Sequence, residues 1–359
     1  MHHFHNPVRT VAGLGALQAL PDLLGARRAL VLTFTGARSL GLVEPLQDAL
    51  GDRLVAVIET VTPNPDVIEL AALYPEVWRY PEADVLIALG GGSVIDSAKA
   101  VLTQTPSGQF HELLQWLRDG QRFASARHKA LIAVPTTAGT GSEVTPWATV
   151  WDRELQRKLS LQFPHTWPEA AVVDPVLMRQ LPEAVTVQSG LDALSHALEA
   201  IWNRHANPVS DALAVAAART IQVTLPALLR APQDLNLREA MAIAALQAGL
   251  AFSNTRTAMA HSMSYPLTLR HDVPHGIACA FTLPLVAAAA IGLMPERDAV
   301  LAQALGPLET APARLESFLL GLGVKTRFAD YGVDDDEAAA LWAQALQGDR
   351  GRNFIGASA

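Results

Sequence analysis

The stretch "SGLDALSHALEA", residues 189–200, sets Asp192 and His196 one helical turn apart among apolar neighbours. Four residues of helix separate them by about 40° around the axis and about 6 Å along it, so both share a face. A carboxylate is costly to bury unless a counter-charge or a metal ion meets it. Two further histidines follow in "NTRTAMAHSMSYPLTLRHDVPHGIACA", residues 254–280: His261 on an apolar helical pattern and His275 in a Pro-His-Gly turn. One histidine on an apolar helix is more often a satisfied core residue than a ligand. Asp192, His196, His261 and His275 together are nitrogen and oxygen donors suited to a borderline divalent ion, Fe²⁺, Zn²⁺, Ni²⁺ or Co²⁺.

Two glycine-rich stretches offer a second chemistry. "ADVLIALGGGSVIDSAKAV" reads as a buried strand, a glycine turn and a helix opened by Ser93 as a side-chain cap, with Asp96 three residues on. Glycines let backbone N–H groups approach a ligand, and a helix N-terminus favours an anion. The spacing is not G-x-G-x-x-G, and a tight strand-to-helix connection is the alternative reading. "VPTTAGTGSEVTPW", residues 134–147, follows the next strand with five hydroxyls that could surround a diphosphate and its riboses. Two such loops at strand carboxyl ends fit ligand binding in an open α/β sheet.

These residues need elements to hold them. "RALVLT" (28–33), "RLVAVIET" (53–60), "ADVLIALG" (83–90), "KALIAVPTT" (129–137) and "AAVVD" (170–174) read as strands, several apolar on both faces, as in a parallel sheet covered by helices. Beyond "DPVLMRQLPEAVT" the strand signal stops and long Ala/Leu helical patterns take over. The expectation is an α/β dinucleotide-binding domain with a parallel sheet, residues 1–180, and an all-helical metal and substrate domain, residues 181–359. A net charge of −8 without a Lys/Arg cluster argues against nucleic acid and acidic membranes as partners. One cysteine excludes an internal disulfide framework and fits a reducing cytoplasm. The N-terminus does not read as a signal peptide. The uncharged run 277–294 reads as a helix buried in a large domain, being broken by Pro284 and Gly292.

The chain resembles the iron-containing, or group III, alcohol dehydrogenases over nearly its whole length. The motifs are "GGGSVIDSAK", "PTTAGTGSEVT", "DPVLMRQLP", "GLDALSHALEA" and "AHSMSYPL" followed by "VPHG". The resemblance implies the two-domain dehydroquinate synthase-like architecture, with a catalytic metal in the cleft, ligated by Asp192, His196, His261 and His275. It implies NAD(P)H contacts from Asn64, Gly91, Gly92, Ser93, Asp96, Thr136, Thr137, Thr145, Trp147, Lys158 and Leu177. It also implies hydride transfer to an aldehyde polarised by a divalent metal, iron by family with zinc as the other choice, in a homodimer or larger assembly. A related lyase plan, that of the dehydroquinate synthases, is disfavoured by "GTGSE" and "GLDALSHALEA". A non-catalytic metal- or nucleotide-binding protein is a third reading, disfavoured because every expected ligand is present.

Two positions depart from the family pattern. Tyr265 stands where many relatives carry a second, proton-relaying histidine; it either donates a hydrogen bond to substrate or packs. Phe34 stands where NAD-preferring relatives often have an aspartate, so Thr35, Gly36, Arg38 and Ser39 could accept the 2′-phosphate of NADPH. "HSMSYPLT" is most similar to the phosphonoacetaldehyde reductase branch, with another small aldehyde or diol as the alternative substrate. The substrate candidates are Phe252, Arg256, Arg270 and His271, since guanidinium presents a fork that matches phosphonate oxygens.

Overall fold

The computed structural model describes residues 1–125 and 127–357. Two compact units result: residues 7–137 with 142–180, and residues 181–359 with 1–6 and 138–141. The main division falls after Gln180, but the first six residues and Ala138–Gly141 belong to the helical unit rather than to the α/β unit.

In the α/β unit the strands are β1 (Arg9–Ala12), β2 (Ala29–Phe34), β3 (Leu54–Val61), β4 (Val85–Gly90), β5 (Thr103–Gln104), β6 (Arg127–His128), β7 (Ala130–Pro135), β8 (Ala148–Asp152), β9 (Arg157–Leu161) and β10 (Ala170–Val173). Its helices are α1 (Leu20–Leu24), α2 (Glu44–Leu50), α3 (Val67–Trp78), α4 (Gly92–Val101) and α5 (Phe110–Asp119). Six strands form a wholly parallel sheet in the order β1-β10-β7-β4-β2-β3. Every residue of β4 is buried, as expected for a strand covered on both faces. The chain runs from β2 outward to β3, then returns to place β4 on the other side of β2. The order therefore reverses between β2 and β4, and the crevice beyond their carboxyl ends is where open α/β sheets bind ligands. The antiparallel β8–β9 pair lies apart from this sheet.

The helical unit contains α6 (Glu183–Ile201), α7 (Pro208–Arg230), α8 (Leu235–Thr255), α9 (Met259–His271), α10 (His275–Ala280), α11 (Leu283–Ala290), α12 (Pro295–Leu305), α13 (Ala311–Gly321) and α14 (Asp335–Gln347). The apolar run 277–294 is divided between two helices, α10 and α11, instead of forming one. Only α7, among the described residues, is long and apolar enough to cross a membrane, and α6 and α8 pack against it. Gly276 fixes how α10 meets α6. A Cβ there would fall 2.0 Å from the Gln188 carbonyl oxygen, so any side chain would push the two helices apart.

Candidate active site

On α6, Asp192, His196 and Glu199 recur at helical spacing, and all three are buried. The chain brings His261, near the start of α9, to this face: its Nε2 lies 3.4 Å from Asp192 Oδ1. His275, the first residue of α10, places Nε2 3.9 Å from the same oxygen, and His196 Nε2 is also 3.9 Å away. The four donors named from sequence thus gather around one carboxylate. Asp192 Oδ1, His196 Nδ1 and His261 Nε2 are buried without a hydrogen-bond partner. Buried polar atoms are almost always paired, so Asp192 Oδ1 and His261 Nε2, orphans 3.4 Å apart, fit a bound cation; the His196 orphan is the ring nitrogen other than the one beside Asp192. Burial alone would raise the Asp192 carboxyl, but His196, His261 and His275 hold it well below the usual carboxylate range.

Two members of this cluster were not foreseen. Glu199 Oε2 accepts the His261 Nδ1 proton at 2.7 Å and the Ala258 N–H at 2.9 Å. Its Oε1 accepts the Ala260 N–H at 2.5 Å and the His261 N–H at 3.2 Å. This network assigns the His261 proton to Nδ1 and leaves the Nε2 lone pair for a metal, the usual role of a carboxylate behind a ligating histidine. Spacing held the signal, because Glu199 is seven residues after Asp192 and shares its face. Cys279 is the second, one turn after His275; its Sγ lies within 4.8 Å of donor atoms of Asp192, His261 and His275.

The remaining candidates separate. Phe252 stacks on His196, with ring centroids 4.1 Å apart, and the other face of His196 meets His261 at 4.5 Å. Tyr265 lies parallel to His275 at 5.9 Å, and the Arg350 guanidinium stands 4.9 Å from the Tyr265 ring centroid. Arg256 ends α8 at φ +66°, a left-handed conformation that costs a non-glycine residue energy, and its side chain is exposed. No ion pair or hydrogen bond of its guanidinium occurs among the described residues. Arg270 and His271 sit nine and ten residues along α9 from His261, about 14–15 Å by helical rise. Both face Glu337 of α14, at 3.8 and 3.0 Å. They tether two helices, and the structure does not bring them to the Asp192 cluster.

In the α/β unit, Asn64 follows β3, Gly91, Gly92 and Ser93 follow β4, and Thr136 and Thr137 follow β7, all at the carboxyl ends of strands of the sheet, whereas Trp147 precedes β8 and Lys158 lies within β9. Gly91, not Ser93, is the N-cap of α4, and no side chain caps it. Ser93 Oγ instead accepts the Asn64 N–H at 3.0 Å. The helix N-terminus is thereby left open toward an anion. A Cβ on Gly91 would lie 3.1 Å from Thr137, so the first glycine loop and the second run close together. Asp96 accepts Ser142 Oγ at 2.5 Å and the Thr149 N–H at 2.8 Å. Lys99 Nζ donates to the Ser142 and Trp147 carbonyls at 2.6 and 2.8 Å, fixing the stretch that carries Thr145 and Trp147 beside α4. Burial pushes Lys99 down to about 8, against the pull of Asp96 and Glu143, and pushes the Glu143 carboxyl up to about 7. Thr136 donates its N–H to the Gly90 carbonyl, Lys158 pairs with Trp151 across β8–β9, and Leu177 is buried in the sheet core. After β2, Thr35 Oγ1 donates to the Glu59 carbonyl. Arg38 is held by Glu44, Gln47 and Glu59, so it is not a free cation for a 2′-phosphate.

Ala138–Gly141, the middle of the second glycine loop, serve the helical unit. A Cβ at Gly139 would fall 2.7 Å from the Ser189 carbonyl, and one at Gly141 2.6 Å from Gly249 Cα. Those glycines permit close packing within the helical unit.

The family models agree with this layout. The model for the iron-containing alcohol dehydrogenases matches residues 7–175, and that for the C-terminal part of the family matches residues 186–356. The chain belongs to the iron-containing alcohol dehydrogenase family. It is an oxidoreductase acting on CH–OH groups, with a divalent metal ion and a nicotinamide dinucleotide as cofactors. It is 32% identical to the NAD-dependent methanol dehydrogenase of Bacillus methanolicus, over 97% of this chain and 94% of that one. To the 1,3-propanediol dehydrogenase of Klebsiella pneumoniae it is 32% identical, over 91% and 87%. Among solved structures, the sulfoacetaldehyde reductase from Bifidobacterium kashiwanohense in complex with NAD⁺ superposes with a TM-score of 0.88, at 28% identity over 99% and 94% of the chains.

Proposed function

We propose that this dehydrogenase reduces a small anionic aldehyde, phosphonoacetaldehyde, to 2-hydroxyethylphosphonate with NAD(P)H in the cytoplasm. Asp192, His196, His261 and His275 hold the metal ion, and the loops after β2, β4 and β7 hold the dinucleotide. When bound, the ion supplies Lewis-acid polarisation of the carbonyl and the nicotinamide supplies the hydride. Glu199 keeps the His261 Nε2 lone pair available, and Asp192 supplies the one negative charge among the four ligands. Tyr265, parallel to His275, either packs or donates to the substrate.

The observation that carries the substrate reading is Arg256. Its guanidinium has no acidic partner among the described residues, and its strained backbone lies between α8 and the helix that bears His261. The likeness to a reductase of sulfoacetaldehyde, another two-carbon aldehyde with an anionic end, supports the same class. The likeness to a 1,3-propanediol dehydrogenase favours a neutral diol or aldehyde as the second reading.

The test is kcat/KM for phosphonoacetaldehyde, sulfoacetaldehyde and propanal, with NADH and with NADPH, on metal-reconstituted protein. Arg256→Ala should lose on the order of 30- to 150-fold with the phosphonate and much less with propanal, the loss of one charge-assisted contact. A wild type that prefers propanal refutes the anionic-substrate reading. Equal losses on both substrates make Arg256 structural.

A further inference from the structure

We propose that Cys279 binds the metal ion directly, adding sulfur to the nitrogen and oxygen donors of the site. This rests on the metal-centre reading above and adds a ligand to it. Cys279 is wholly buried and is the one cysteine of the chain, so no disulfide accounts for it. It lies one turn after His275 on α10, which aims both side chains at the same point. Its Sγ is 3.9 Å from His275 Nε2, and the donor atoms of Asp192, His261, His275 and Cys279 all lie within 4.8 Å of one another.

Geometry and pairing both point to coordination. Around a tetrahedral ion with bonds of about 2.1 Å to nitrogen or oxygen and 2.3 Å to sulfur, neighbouring donors stand roughly 3.4–3.6 Å apart. The separations here are 3.4 Å for His261 to Asp192, 3.9 Å for His275 to Asp192 and 3.9 Å for His275 to Cys279. A shift of about half an ångström in a side chain closes each gap. Cys279 Sγ is nearly equidistant from the two nitrogens of His275, 4.0 Å from Nδ1, but Nδ1 is engaged by Ser264 Oγ at 3.3 Å, whose own proton goes to the His261 carbonyl. Nε2, 3.9 Å from both Asp192 Oδ1 and Cys279 Sγ, is the nitrogen that would meet the ion. The independent sign of a ligand is that Asp192 Oδ1 and His261 Nε2, buried beside the sulfur, have no hydrogen-bond partner.

On coordination the thiol S–H bond breaks, its proton leaves to solvent, and a metal–sulfur bond forms with no change of oxidation state. Two anionic donors, Asp192 and Cys279, then face the divalent charge, and the thiolate tilts the site toward softer ions.

The test is absorption spectroscopy of the full chain loaded with cobalt(II), with bound cobalt counted by equilibrium dialysis. A thiolate-to-cobalt charge-transfer band in the near ultraviolet is expected for wild type. Since the chain has one cysteine, that band reports on Cys279 without any variant. Cys279→Ser and Cys279→Ala should lose the band while the visible cobalt transitions persist. Wild type that binds one cobalt per chain without the band overturns the inference and leaves the metal centre standing. A band that survives in either variant also overturns it. Failure of wild type to bind cobalt overturns the metal-centre reading, and this inference with it.

Discussion

Glu199→Gln is the sharpest perturbation available, because it changes one oxygen to an NH₂ group and leaves the side-chain shape alone. Glu199 is wholly buried, and its two oxygens accept four donors. An amide can accept at only one of them. With the NH₂ at the Oε2 position, the Ala258 N–H loses its acceptor, and the imidazole Nδ1 must accept instead of donate. The histidine proton then moves to Nε2, the nitrogen that faces Asp192, and that lone pair is lost to a metal. With the amide reversed, the Ala260 and His261 N–H groups are stranded instead. Each stranded buried donor costs about 1–3 kcal/mol, so with one N–H stranded in the first orientation and two in the second, the metal-free protein should lose roughly 1–6 kcal/mol of stability. Metal affinity should fall about 10- to 100-fold, the usual effect of removing an outer carboxylate. Urea unfolding of the apo protein measures the first, and competition against a chelator of known affinity measures the second. Glu199→Asp keeps the charge at shorter reach and should fall between. A Glu199→Gln protein that holds metal within twofold of wild type would refute the role given to this carboxylate.

His261→Ala and His275→Ala should each lose most bound metal and activity while circular dichroism stays native; wild-type metal content in both would remove the ligand assignment. Phe34→Asp should move the NADPH/NADH ratio of kcat/KM toward NADH by about tenfold, since a carboxylate there repels a 2′-phosphate and holds ribose hydroxyls. An unchanged ratio would show that the loop after β2 does not read the 2′ position. Glu143 titrates at about 7 in the fold against 4.5 ordinarily, because burial disfavours its charge. The native state therefore binds the extra proton in that window, and stability contributed by this group falls as pH rises from 4.5 to 7. Glu143→Gln should lack the slope and gain on wild type by on the order of 3 kcal/mol across the window, read by urea unfolding. Parallel pH curves for the two proteins would count against a buried, protonated Glu143.

Much of this was legible in the sequence where a single period decides the outcome. β4, β7 and β10 are unbroken apolar runs, β2 is interrupted only by Thr33, and their strands came within a few residues of the expected spans. The β8–β9 pair escaped because charged residues, Arg153 to Lys158, interrupt its short alternation. Asp192 and His196 were readable as neighbours because one helix sets their spacing; that His261 and His275 reach them is tertiary and was carried by resemblance. Ser93 looked like a cap because hydroxyls usually are. Gly91 takes that position with an extended backbone, and Asn64, far off in sequence, uses the hydroxyl. Arg270 and His271 looked available because their partner, Glu337, is 66 residues past His271. No local pattern reports a tether between helices α9 and α14.

The way the chain is divided between its two units has a consequence for its synthesis. Residues 1–6 belong with the helical unit, where the His5 N–H meets Asn254 at 2.7 Å and Asn6 meets Ser253 at 3.2 Å. The ribosome makes those residues some 250 positions before their partners. Residues 7–137 and 142–180 can gather into the α/β unit in the meantime, as units of a growing chain generally do. Ala138–Gly141, spelled out midway, must wait as well, since Ser189 and Gly249 have not yet been added. The helical unit is therefore completed after the α/β unit although it includes residues 1–6. A gene split after codon 180 would yield a C-terminal fragment that lacks both of its upstream pieces.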